Sequence, residues 1–159
     1  MRFLVVIGVL SLMQMTFAVE VNYDLEYGTE GRYACTPLKL ETTKPGTLII
    51  EYTGEHNLGK FDSDVLVFNI KNQKTDYLPR GMTTKYENIE VLNVEESGVK
   101  AITRDDFKAM PKLTRLSFFN NKIDIIPNNC FADLVQLEIL ELAKNKIKTL
   151  PFKVFHFPN

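Results

Sequence analysis

The sequence predicts an α/β solenoid: a curved stack of coils with a parallel sheet on its concave face and a small β-rich cap at the amino end. Two observations support this prediction. Residues 65–159 repeat with a period of 24, and each repeat alternates apolar and polar positions over a short strand. Residues 19–64 lack the period but contain β-branched and aromatic runs separated by glycine and proline turns.

Residues 1–18 predict a secretory signal peptide. Arg2 gives a cationic start, residues 3–15 are largely apolar, and Thr16 and Ala18 place small side chains at the expected cleavage site. An amino-terminal membrane anchor is the alternative, but the apolar run is shorter than the roughly 20 residues that span a bilayer. No later run approaches that length. We therefore expect a secreted, extracellular protein without a membrane span.

The β-rich runs of residues 19–64 predict a small antiparallel cap laid across the open end of the stack, since the first strand would otherwise be an exposed edge. Residues 65–159 follow as four repeats, the last one cut short. A single coil cannot bury its apolar side alone, so the coils must stack and pair their strands. The repeats begin near Val65, Ile89, Leu113 and Leu137.

Asn121 and Asn145 stand where the chain leaves the strand in two consecutive repeats. An inward amide at this point can bond backbone groups of neighbouring coils that the sheet leaves unpaired. We therefore predict a structural role for both. Gln73 and Ser97 hold the same position in the earlier repeats, which predicts a less regular polar ladder there.

The pattern LxxLxLxxNxIxxLPxxxF, which residues 137–155 follow, resembles the extracellular leucine-rich repeat. Further segments resemble small secreted leucine-rich repeat proteins of insects, including the leucine-rich immune proteins of mosquitoes and related flies. The resemblance implies a solenoid that binds other proteins, with innate immunity as the expected setting, and it names no ligand. The segments are Tyr33-Ala34-Cys35, residues 54–60 and Leu78-Pro79-Arg80-Gly81.

Cys35 and Cys130 are the only cysteines. They belong to the cap and to the third coil, so we expect a separation beyond the roughly 7 Å that a disulfide allows. The resembling proteins commonly carry a second cap cysteine near the position of Val21, which implies that Cys35 has lost its expected partner.

No catalytic constellation is present in the sequence. His56 and His156 are 100 positions apart, and no motif ties either to a nucleophile or a metal set, so we expect incidental loop or edge residues. A formal net charge of -1 removes the electrostatic argument for nucleic acid. We expect no enzyme activity, no cofactor and no metal.

What the pattern does predict is a binding surface on the concave side of the strands. One account is that β-branched residues there pack across strands and stabilise the sheet. The other is that an exposed aromatic ring beside an arginine forms an interface hot spot. The candidate ligand-binding residues are Val67, Val91, Arg115, Phe119, Ile139 and Glu141.

Two hypotheses of function follow from this reading. The first is a secreted recognition module that binds another protein or an extracellular ligand through the concave sheet. The second is an extracellular structural protein that self-associates, with a homodimer through the uncapped carboxyl-terminal end as its simplest form. A third reading of the same end is that the chain is a shortened version of a longer protein.

Overall fold

The computed structural model describes residues 18–27 and 31–154. Seven of the strands in these residues form one sheet, in the order β4-β1-β2-β5-β7-β8-β9, and two short strands form a second sheet. The predicted signal peptide, apart from Ala18, and the last five residues with His156 lie outside the described part. The strands are β1 Ala18–Tyr27, β2 Tyr33–Pro37, β3 Glu41–Thr42, β4 Leu48–Thr53, β5 Val67–Lys71, β6 Lys74–Thr75, β7 Val91–Glu95, β8 Arg115–Ser117 and β9 Ile139–Glu141.

The last four strands of the large sheet are parallel and pair with offsets of 24 residues. Phe68 is the register partner of Leu92, Leu92 of Leu116, and Leu116 of Leu140. Each coil therefore adds one strand to the sheet and returns on the other side. The predicted fold class, a solenoid with a parallel sheet, is confirmed.

The core lies between these strands and the returning segments. Phe68, Leu92 and Leu116 are fully buried, and burying a side chain of this size contributes about 1.5 to 3 kcal/mol. On the return side, the rings of Phe107 and Phe131 lie 5.5 Å apart between centroids. The same residue types recur every 24 positions, so each coil presents its neighbour with a matching apolar surface.

The antiparallel pairing expected in the cap is present between β1 and β2, but this pair extends the solenoid sheet instead of lying across the stack. β1 and β2 are antiparallel, but β2 pairs in parallel with β5, and β4 pairs in parallel with β1. The physical reason is that β5 would otherwise be an exposed edge, and a strand satisfies that edge better than a crossing segment does.

The segment Leu78-Pro79-Arg80-Gly81 joins the first coil to β4. Arg80 donates its backbone N–H to Thr47 at 2.8 Å and accepts from Ile49 at 2.9 Å. Gly81 follows with φ of 91°, and a side-chain carbon there would lie 2.8 Å from the carbonyl oxygen of Ile49. Only glycine fits this close backbone contact without strain. The single α-helix of the described residues, α1 (Met82–Lys85), begins immediately afterwards.

Both cysteines are free thiols buried in the core, so the structure agrees with the expectation that they do not pair. Burial raises the pKa of each thiol from 9.0 to about 12. Both are therefore neutral at physiological pH and pack as small apolar side chains.

Candidate protein-binding face

The candidate surface is the concave face, meaning the side of β5, β7, β8 and β9 that points away from the main core. Adjacent parallel strands place residues 24 apart side by side on this face, at a spacing of about 4.8 Å. The face therefore consists of columns of stacked side chains.

Val67 and Val91 do not project into solvent as the sequence led us to expect. They expose 5% and 7% of their surface, because they stack on one another and against Ala34 and Leu66 in a small separate apolar cluster. The packing account fits these two residues. The open part of the column begins at Arg115, which is half-buried, and continues to Ile139, which exposes 46% of its surface.

The next column is polar at its amino-terminal end. Asn93 donates its side-chain amide to Asn69 at 2.9 Å, and Asn69 donates to the hydroxyl of Thr36 at 3.2 Å. The 24-residue spacing could have revealed the first contact. The second could not be predicted, because Thr36 lies in the cap and outside the period. At the other end of this column, Glu141 is exposed.

A charged and aromatic column borders the polar one. Glu95 accepts from the hydroxyl of Ser117 at 3.1 Å and forms an ion pair with Lys71, also at 3.1 Å. One coil further, the half-buried ring of Phe119 is covered by Lys144, whose Nζ lies 4.8 Å from the ring centroid. Sequence reasoning missed Lys144, although its position one residue beyond the register partner of Phe119 was a usable signal.

The structure thus brings together four of the six predicted ligand-binding residues as an accessible patch over β8, β9 and the turns that follow them. We call it the concave patch. The patch combines an aromatic ring with a nearby arginine, and both residue types are enriched at protein interfaces. The patch consists of Arg115, Phe119, Ile139 and Glu141, with Lys144 added.

The two predicted structural asparagines hold the coils below this patch together. The amide nitrogen of Asn121 donates to the carbonyl of Val94 at 2.6 Å, and its oxygen accepts from Val99 at 3.0 Å. Asn145 donates to Phe118 at 2.7 Å in the next coil. Each side chain therefore satisfies backbone groups of the preceding coil, which fixes the turns that carry the patch.

His56 lies in a loop of the cap, as expected, but it makes specific contacts there. Its Nε2 lies 2.8 Å from a carboxylate oxygen of Asp62, its Nδ1 lies 3.3 Å from the hydroxyl of Tyr33, and Lys85 pairs with the same carboxylate at 3.3 Å. The contacts of His56 with Tyr33 and of Lys85 with Asp62 each join residues 23 positions apart. This polar cluster fastens the cap to the first coil, and it joins two of the segments that carried the family resemblance.

Chemically, the concave face offers contacts and charges for recognition. Within residues 18–27 and 31–154 we find no group of three or more His, Cys, Asp or Glu side chains suited to a metal ion. Nor does any helix among these residues have the length and apolar content to cross a membrane.

Comparison with known proteins agrees with the strand register. Residues 87–147 match the family model described as leucine rich repeat. This stretch contains β7, β8 and β9 and the turns between them. These residues therefore match the leucine-rich repeat over part of the chain, and the fold is a leucine-rich repeat solenoid.

Similar individual proteins match only part of this chain. The chain is 43% identical to mimecan of Mus musculus over 53 residues, which are 33% of this chain and 18% of the relative. Mimecan of Homo sapiens is 42% identical over an equal length, again 18% of the relative. A Dictyostelium discoideum protein named as a probable serine/threonine-protein kinase is 33% identical over 70 residues, 44% of this chain and 6% of that protein. The chain thus spans less than a fifth of each of these relatives.

Proposed function

We propose that this chain is a secreted recognition module that binds a protein ligand through the concave patch, in the setting of innate immunity. The observation that carries the proposal is the ring of Phe119, held under Lys144 at the accessible end of the sheet, while Lys71 and Glu95 of the same column pair with each other. Leucine-rich repeat solenoids present extended concave surfaces of this kind to other proteins. The apolar amino-terminal run supports secretion, and the likeness to insect immune proteins supports the setting.

The test is a quantitative comparison of captured proteins. Immobilised wild-type chain and the double variant Phe119→Ala with Arg115→Ala are exposed to the same extracellular fluid. The variant of Lys39→Ala, an exposed cap residue far from the patch, is the matched control. We expect one or more proteins to bind the wild type and the control and to be at least about tenfold depleted on the double variant. Equal recovery on all three would contradict the proposal.

A second candidate function is self-association as an extracellular structural protein. The observation that favours it is the set of apolar side chains exposed at and after β9, the last strand of the large sheet in the described residues: Ile139, Leu150 and Phe152 expose 46%, 54% and 100%. Exposed apolar groups of this kind mark interaction surfaces. Sedimentation velocity over a concentration series tests it, and a monomer at every concentration would contradict it.

A further inference from the structure

We propose that copies of this chain associate head to tail, with the basic turn after β9 of one copy bound to the acidic edge of the cap of the next. The basic turn is defined by Lys146, Lys148 and Lys153, and the acidic edge by Glu51 on β4 and Glu55 after it. The proposal gives a form to the second candidate function and does not depend on the concave patch.

The first supporting observation is the uneven distribution of charge along the chain. Residues 18–64 hold nine acidic and four basic side chains, a net of -5. Residues 65–111 hold seven of each, and residues 112–154 hold four acidic and seven basic ones, a net of +3. Because the coils are stacked in sequence order, the solenoid has an acidic cap and a basic last pair of coils. Complementary fields of this kind steer association.

The second observation is how the cations are paired. In the earlier coils, lysines meet acids of a neighbouring coil or of the cap: Lys74 pairs with Glu41 at 2.7 Å and Lys100 with Asp76 at 2.8 Å. In the described part of the chain, Lys146, Lys148 and Lys153 are exposed and none of them has an acidic partner.

Stacking adds to the charge of the basic turn. Lys122 occupies the position of Lys146 one coil earlier, and both backbone amides bond the preceding coil at 2.8 Å. The backbone positions that carry the side chains of Lys122 and Lys146 are therefore about 4.8 Å apart. Like charges in register repel. An external anion would relieve this repulsion.

The acidic edge has the complementary character. Glu51 and Glu55 are exposed, and neither forms an ion pair within the described residues. Among the described residues, β4 and β9 are the first and last strands in the order of the large sheet, and the start of β4 also bonds Arg80 of the first coil. The acidic and basic surfaces therefore lie at opposite ends of this strand order. Apolar side chains accompany both surfaces: Leu58 is fully exposed and Phe61 exposes 67% near the acidic edge, which matches the exposed residues after β9.

Charge also decides between the two ways of joining two copies. A two-fold contact through the carboxyl-terminal end would bring the two basic turns together, which is electrostatically unfavourable. A head-to-tail contact places each basic turn against an acidic edge. A head-to-tail dimer keeps one unbound basic turn and one unbound acidic edge. Larger assemblies should therefore form as the protein concentration rises, and they should weaken as salt screens the charges.

The experiment is a charge-swap series followed by sedimentation velocity at about 50 mM and about 500 mM NaCl. One variant combines Lys146→Glu with Lys148→Glu, and the other combines Glu51→Lys with Glu55→Lys. The control, Lys39→Glu with Lys44→Glu, makes the same number of charge changes on the cap, outside the acidic edge. Circular dichroism verifies folding. If the reversal at the two lysines disturbs folding, the variant Lys146→Gln with Lys148→Gln is used in its place.

We expect the wild type and the control to associate at low salt and to dissociate at high salt. Each reversed variant alone should associate at least about tenfold more weakly, and an equal mixture of the two should recover the wild-type association. A wild type that stays monomeric overturns the proposal. So does a mixture that does not recover, or an association that the variant Glu51→Lys with Glu55→Lys leaves intact.

The same series keeps the two functional proposals apart. The double variant Phe119→Ala with Arg115→Ala should retain the salt-dependent self-association, because neither residue belongs to the basic turn or the acidic edge. Loss of self-association in this variant would place the contact on the concave patch and overturn the head-to-tail arrangement, whatever ligand the patch binds.

Discussion

Asn121 shows how one side chain fixes the distance between coils. Its oxygen accepts from the backbone of Ser97 and Val99, and its nitrogen donates to Val94 and Phe119. Water cannot replace these bonds, because the residue exposes only 6% of its surface. The sequence was sufficient to predict this role, since the asparagine recurs at the same place in the period.

We predict that Asn121→Ala lowers the free energy of unfolding by about 2 kcal/mol or more, because it leaves several buried backbone groups unsatisfied. Asn145→Ala should cost about half as much, since its side chain is only partly buried and water can reach its partners. Urea denaturation measures both. An equal loss in the two variants would contradict the assignment of one residue to the interior and the other to the open end.

The two thiols give a second prediction at the residue scale. With a pKa near 12 in the folded chain and 9.0 as the ordinary value, both should react with a thiol reagent at pH 8 at least about 100-fold more slowly than in urea. Rapid labelling of one cysteine in the folded protein would show that this cysteine is not buried in solution.

The sign of the pH dependence follows from the raised pKa. The neutral thiols contribute stability that is fully present below pH 9.0 and is lost as the pH rises toward about 12, since the unfolded chain releases these protons first. Cys35→Ser with Cys130→Ser should therefore flatten this part of the stability profile. If the decrease of stability with pH in this range is the same in the double variant, the two thiols are not its cause.

The strands and return segments of the repeats were predictable because each coil repeats the same pattern of apolar and polar residues. The period placed Leu116 and Leu140 at the same point of a strand, and the structure places both there. Sequence alone treats them as equivalent. They differ in burial, because Leu116 lies between two coils and Leu140 has a described coil on one side only.

We predict that Leu116→Ala costs about 2 to 5 kcal/mol of stability, because it opens a cavity between two coils. Leu140→Ala should cost clearly less, since the partly exposed site loses less buried area. Thermal and urea denaturation of the two variants measure the difference. A larger effect at Leu140 would mean that the last coil is buried in solution.

The cap was predictable only as β-rich sequence. Its pairings join segments without any internal period: β2 with β5, β4 with β1, and His56 with Tyr33. Their register depends on tertiary contacts that no local pattern records. The burial of Val67 and Val91 was missed for a related reason, because they pack in one cluster with Ala34 of the cap.

Gly81 provides the matching test of how the cap is attached. We predict that Gly81→Ala costs about 1 to 3 kcal/mol, because the new carbon meets the backbone of Ile49 in addition to the strain of a positive φ. Gly46→Ala is the control, since Gly46 has a φ of 75° with nothing within 4 Å. Equal losses in the two would show that the close contact is absent in solution.

At the scale of the whole molecule, the solenoid places different surfaces at different ends. The cap is fastened by a polar cluster, the middle coils are paired by ion pairs and asparagines, and the concave patch opens over the last two strands. We propose that a partner protein bound to the concave patch covers the side chains of this patch.

Hydroxyl-radical footprinting of the whole chain, with and without the protein captured in the comparison above, tests this claim most directly. We predict that the partner reduces oxidation of Phe119 and Ile139 and leaves Phe61, exposed on the cap, unchanged. Protection of Phe61 with undiminished oxidation of Phe119 and Ile139 would contradict the account and place the binding surface on the cap.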